Sequence, residues 1–335
     1  RELLLEELNF TSEKPYVIYG YAAVPKNETL VIEAGTRLHF HANSGLIISE
    51  GASLIVNGEV STDKDLLENE VVFEGDRLEP DFSNIPGQWG AIWFFDGSIN
   101  NTINHATIKN ASIGILCDGN PDEINDKLTI TNSQIYNSSN FGLLGRNTSI
   151  NGKNVVINNA GQSAFAGTIG GKYNFTHSTL VNYWNTGFRQ LPALLLNNFI
   201  IDENNATIIT DLTEANFNNC IIYGNENNEI LLDDIEDNVV DFNFKFTNCL
   251  IRFQNTNNNF TGPNYDLNDI NHYENTIFNE DPDFLDFDLN MLIIGADSPA
   301  INKGLSIFAM QVPFDILNID RTLSPDLGAY QHITF

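Results

Sequence analysis

An all-β chain wound into a parallel β-helix is the fold this 335-residue sequence predicts, and three observations predict it. One six-residue phrase recurs along the chain. Asparagine is used 48 times, beside 24 Gly and 23 Phe but only 2 Met. Short β-rich runs alternate with Glu-Gly corners.

The phrase reads apolar, polar, polar, small, any, aliphatic. It occurs as INHATI from Ile103, ITNSQI from Ile130, a degenerate INGKNV from Ile150, FTHSTL from Phe175, LLNNFI from Leu195, FNNCII from Phe217, FTNCLI from Phe246 and YENTIF from Tyr273. Its fourth positions are Ala106, Ser133, Lys153, Ser178, Asn198, Cys220, Cys249 and Thr276, separated by 27, 20, 25, 20, 22, 29 and 27 residues. A roughly constant step marks a stacked solenoid. Leucine-rich repeats have similar periods but require regular Leu spacing and a helical segment, and neither is present.

Successive coils of such a stack lie about 4.8 Å apart, so an inward slot becomes a column of like side chains. On that reading Ile108, Ile135, Leu180, Ile222 and Ile251 share one dry interior. Cys220 and Cys249 are compact core hydrophobes in adjacent coils. The three cysteines, with Cys117, lack the spacing of a zinc site or a disulfide framework. Asn suits the corners twice over: its amide can bond its counterpart one coil away, and its backbone tolerates positive φ.

Upstream, TLVIEAGTRLHF, GLIISEGASLIVNG and NEVVFEGD read as the first coils of the same stack. The expected organisation is residues 1–15 as an N-terminal cap, 16–285 as a solenoid of roughly ten to twelve coils, and 286–335 as a C-terminal capping tail packed on the solenoid. Open sheet edges invite association, which is the reason to expect both ends covered.

Sixteen Lys and Arg against 44 Asp and Glu give a formal charge of −28. That opposes nucleic acid and anionic membrane surfaces as partners. No apolar run is long enough to span a bilayer. The chain opens RELLLEEL with neither Met nor a signal-peptide pattern, so any targeting or anchoring segment is expected outside it.

The tail reads DPDF from Asp281, SPAI from Ser298 with Gly304, D-x-x-N-x-x-R from Asp315 to Arg321, and DLGAY from Asp326. It resembles the closing signature of right-handed parallel β-helix repeat proteins of the Bacteroidota surface and secreted type, with Asn318 where that turn usually carries Gly. The resemblance implies right-handed winding and an exported protein, at the cell surface or outer membrane through a lipid anchor, or secreted. It implies no particular reaction.

Lyase chemistry on acidic polysaccharides needs a cationic or metal electrophile and a base, and the scattered cations do not make a groove for a polyanion. A pectinase-type hydrolase would show NTD, a DD pair, GHG and RIK. Only Asp233-Asp234 occurs, within ILLDDIEDN, which reads as a loop. No catalytic residue is therefore nominated. Equivalent slots hold His105 and His177, read as ladder or solvated histidines rather than a metal pair. Arg146 and Arg189 are isolated cations, suited to ion pairs or to anchoring a ligand. Asp281, Asp283 and Asp286 could hold Ca2+ through hard oxygen ligands, though turn capping explains them more simply.

The remaining signal is aromatic. PGQWGAIWFFDG is expected to place Trp89, Trp93 and Phe95 on one side of a strand and Phe94 on the other, while NYWNTGF adds Tyr183, Trp184 and Phe188. Trp89, Trp93, Phe95, Tyr183 and Trp184, with Arg189, are the ligand- or partner-binding candidates, burial under the long loops near residues 60–90 or 118–127 being the alternative for the aromatics. The expected function is a non-enzymatic surface scaffold that docks protein partners in an outer-membrane assembly. The alternative is a β-helix protein that binds or degrades polysaccharide.

Overall fold

The computed structural model describes residues 1–119, 124–235 and 239–335. It is 43% strand and 4% helix, and 24 strands belong to one continuous, parallel pairing network. Among the described residues no helix is long and apolar enough to cross a membrane.

The pairings resolve into three ladders. The first face stacks Asn9–Phe10, Thr29–Glu33, Ser53–Asn57, Asn101–Asn104, then the strands through Ile130, Gly152 and Phe175, and then Leu212–Asn218, Lys245–Thr247 and Tyr273–Glu274. The second runs from Tyr16–Ile18 through Arg37–Phe40, Val71–Gly75 and Ala106–Lys109 to Leu250–Ile251 and Ile277–Phe278. The third starts at Tyr21–Val24 and ends at Ile230–Asp233.

Side chains alternate in and out along each strand, so in-register pairing turns inward positions into columns. Leu38, Phe73, Ile108, Ile135, Ile157, Leu180, Ile222 and Ile251 succeed one another on the second face, all fully buried. On the first face an aliphatic column gives way to aromatics. Phe175 stacks on Phe217 at 5.7 Å, Phe217 on Phe246 at 5.1 Å and Phe246 on Tyr273 at 5.5 Å. Gly152 marks the change, because a Cβ there would lie 2.4 Å from the Phe175 ring.

Two of the eight expected phrase copies are corrected. Gly152 pairs with Ile130 and Val155 with Ser133, so the INGKNV copy actually begins at Gly152, two residues later. LLNNFI is not a copy: Leu194–Asn197 belongs to the third face, and Phe199–Ile201 forms an antiparallel hairpin with Thr207–Ile209. Phe175 therefore pairs directly with Phe217, and residues 183–210 hold both an outward loop and that hairpin around a single third-face strand.

Asparagine forms the corners as its chemistry suggests. Between first and second faces, His105, Asn132, Asn154, His177, Asn219, Asn248 and Asn275 all have φ between 44° and 54°, the left-handed region that Asn tolerates best after Gly. Their amides link rungs: Asn154 Nδ2 donates to Asn132 Oδ1 at 2.8 Å, and Asn219 Nδ2 meets His177 Nε2 at 2.9 Å. A second ladder joins Asn159 Nδ2 to Asn137 Oδ1 at 2.7 Å.

The ends and the flank are closed by different segments. Leu3 and Phe10 enter the core at the first rung. At the far end Phe253, Phe260 and Tyr265 pack together over the last coils, with ring centroids 4.9–5.5 Å apart. The tail lies along the outside of the second face. There Leu292, Ile294, Ile316 and Leu327 form a second apolar cluster with outward-facing Val156, Val181, Ile221 and Leu250.

Candidate functional site

The tail signature is the fastening of that strap. Arg321 is fully buried and donates to the carbonyls of Gly328 and Ala329. Asp315 accepts from the backbone N–H of Leu317, Ile319 and Gln331. Asp326 accepts from those of Asn302 and His332. Asn318 sits at φ 65°, so Asn serves where a Gly would otherwise be expected.

The aromatic candidates separate. Trp89 is 1% exposed and stacks on Phe40 at 4.3 Å, its Nε1 donating to Lys109 O. It is a core residue and does not share a side with Trp93 and Phe95. The strand proper spans only Ile92–Phe94, and Gly90 lies between it and Trp89, so alternation does not carry across. Trp93 and Phe95 do face outward together, edge to face at 4.6 Å. Tyr183 lies under the tail, stacked on Phe287 at 4.1 Å. Trp184, on the loop that leaves the second face, lies over Gly161.

Arg189 belongs to a buried ion pair. Its Nη1 and Nη2 meet Glu229 Oε2 and Oε1 at 2.8 and 2.6 Å, with both side chains essentially inaccessible. It also donates to the carbonyls of Leu191 and Asn182. Arg146 instead forms a half-exposed pair with Asp118 at 2.5 and 2.6 Å, and Trp93 Nε1 donates to the same carboxylate at 2.8 Å.

His105 and His177 occupy corners with Asn132 and Asn154 between them, so no metal pair forms. Burial lowers the pKa of both, and for His177 the lowering is large. Asp281, Asp283 and Asp286 accept backbone N–H groups of Asp283, Asp297, Asp288 and Leu289. Among the described residues no group of three or more His, Cys, Asp or Glu is placed to hold a metal. ILLD is not the expected loop but the third-face strand Ile230–Asp233; Asp233 ends it, and Asp234, just beyond, accepts from Asn264.

Two surfaces have the character of a site. On the third face the outward positions Ile47, Trp93, Leu116, Leu144, Ala166, Leu195 and Leu231 are successive in register. Ile113, Phe141 and Leu191 pack against this column as an outer apolar layer. The first face differs: its outward row Thr129, Asn151, Asn174, Asn216 and Lys245 is polar.

The second surface is a cavity of about 460 Å³ where the tail stops covering the second face. Its floor is Thr107, Lys109, Gln134 and Tyr136, with Glu70 at one side and Tyr330 and the aliphatic tail at the other. Sequence reasoning missed it because Tyr330 and Glu70 are 260 positions apart. The only signal was the polar outward row His39, Glu74, Lys109 and Tyr136, which becomes visible once the register is known.

No protein-family model, curated protein or solved structure matches the chain.

Proposed function

We propose that the protein is a non-enzymatic interaction scaffold of the bacterial cell surface, docking a protein partner of an outer-membrane assembly along its third face. In this reading it is a right-handed parallel β-helix of ten to twelve coils, of the Bacteroidota surface type, exported and held at the outer membrane by a lipid anchor. Strand-crossover-strand connections are right-handed in about 98% of cases, which favours that winding. The observation that carries the function is the outward apolar column of the third face, in which Leu116, Leu144, Ala166 and Leu195 are buried and half-buried Trp93, Ile113, Phe141, Leu191 and Leu231 form the apolar layer open to a partner. Contiguous apolar patches reaching the surface mark sites of protein contact.

The test places a photoactivatable side chain at Phe141 on the third face and, separately, at Asn151 on the polar first face, in the native host. The reading expects one recurrent adduct from position 141 only, abolished by Leu144→Glu. Equal labelling from both positions, or none, would remove it.

A second reading, binding of polysaccharide without or with its cleavage, is favoured by the tail-edge cavity. Small-molecule sites usually lie in concave pockets of about 300–1,000 Å³ that combine apolar walls with a few polar groups. A glycan array scored together with reducing-sugar and unsaturated-uronate release separates binding from degradation.

A further inference from the structure

We infer that the cavity between the tail and the second face binds a neutral saccharide unit bearing a methyl or acetyl substituent, such as a 6-deoxyhexose or an N-acetylhexosamine. This rests on the polysaccharide reading and names its ligand class.

The floor presents an acceptor. Thr107 Oγ1 donates to Glu70 Oε2 at 2.8 Å, and the Gln134 amide also bonds that carboxylate. The hydroxyls of Tyr136 and Tyr330 both donate to Gln134 Oε1. With both tyrosine hydroxyls tied up on Gln134, the Glu70 carboxylate is the acceptor the floor offers to a ligand. The floor cation, Lys109, is paired with Glu74 at 2.9 Å. A ligand here has to bring O–H or N–H donors. A carboxylate or phosphate would meet Glu70 and Asp65 and find Lys109 engaged with Glu74, while Lys64, the other cation of the lining, stands exposed at the rim, so the floor disfavours uronates.

The opposite wall is aliphatic. Leu285, Leu289 and Met291 line it, exposed by 37%, 57% and 45%. The rings of Tyr136 and Tyr330 suit the C–H face of a sugar ring, and the aliphatic wall opposite suits a methyl or acetyl group on it. Polar floor and aliphatic wall together select a hydroxylated ring with one apolar substituent. Glu70 is held rigidly by Thr107 and Gln134, so little ordering is required on binding.

Saturation-transfer difference NMR with L-rhamnose, N-acetyl-D-glucosamine, D-glucose and D-galacturonate tests this. The first two are expected to bind, with the strongest transfer at their methyl protons, and galacturonate is expected to give no transfer. Leu289→Asp, at an exposed position, and the near-isosteric Glu70→Gln should each weaken binding at least tenfold with the fold intact by circular dichroism. Equal signals from all four sugars, or binding unchanged by Leu289→Asp, would overturn the assignment. An array-positive glycan insensitive to both variants sinks the cavity while sparing the polysaccharide reading. Silence across array and NMR removes both.

Discussion

The buried pair Arg189–Glu229 offers a quantitative test of whether Arg189 is a structural residue or a ligand anchor. Its two short hydrogen bonds are inaccessible to solvent. Glu229 also accepts the backbone N–H of Ala193 at 2.7 Å and of Glu226 at 2.8 Å. Arg189→Met leaves a buried carboxylate without its cation, which costs about 3–5 kcal/mol. Glu229→Leu strands the guanidinium and both N–H groups, at about 5–11 kcal/mol. The double variant removes the charge problem and leaves the two N–H groups without an acceptor, at about 1–3 kcal/mol each. It should therefore lose only about 2–6 kcal/mol against a simple sum of about 8–16 kcal/mol. Urea denaturation gives the global values, and native-state hydrogen exchange at Ala193 and Glu226 gives the local ones. A loss below about 1 kcal/mol for Arg189→Met, or strict additivity, would refute a structural pair.

Three further outcomes follow from the geometry. Burial holds the folded-state pKa of His177 well below its ordinary 6.5, so the unfolded chain takes up the proton first and stability falls as pH drops through 6.5. That component is about 1.4 kcal/mol between pH 7.5 and 5.5, and His177→Asn, the residue used at neighbouring corners, should abolish it in paired denaturation curves. Gly328→Ala should loosen the tail by about 2–4 kcal/mol, since φ is +86° and a Cβ would lie 2.7 Å from Thr179 Oγ1 and 2.9 Å from Ile221; limited proteolysis within residues 300–335 reads this, and unchanged cleavage contradicts it. All three cysteines are free and buried, with burial raising the thiol pKa of Cys117 and Cys249; a disulfide-exchange reagent at pH 8 should label none in the native protein and all three in urea.

Much of the stack was legible because its physics is periodic. The column from Ile108 to Ile251 and the adjacent Cys220 and Cys249 could be read from the phrase alone, since a repeated inward slot demands a repeated residue class. Asn corners were legible for the same reason. The phrase misled where the column changed character. Gly152 has no side chain because the Phe175 ring occupies its space, so the phrase finds its apolar first residue two positions too early, at Ile150. LLNNFI matched by composition, but its Leu residues fill a third-face strand.

The surfaces were less legible. Trp93 and Phe95 were found outside, whereas parity failed for Trp89 across Gly90. Tyr183 looked exposed because nothing local announces that Phe287, 104 residues later, stacks on it. The tail-edge cavity joins segments whose proximity depends on the tail's route along the flank, and no period encodes that route.

The central claim is that each rung lies on its predecessor in the stated register, including the jump across residues 183–210. Cysteines introduced as Asn174→Cys and Asn216→Cys test it directly, because these residues are Cα partners on adjacent rungs of the first face. Strands so paired lie about 4.8 Å apart, inside the disulfide range of about 4.4–6.8 Å. Mild oxidation and peptide mapping should find the 174–216 bond, and none in a control joining Asn174→Cys to Asn197→Cys on the third face. A 174–197 bond, or no bond at 174–216 in folded protein, would contradict the stacked architecture.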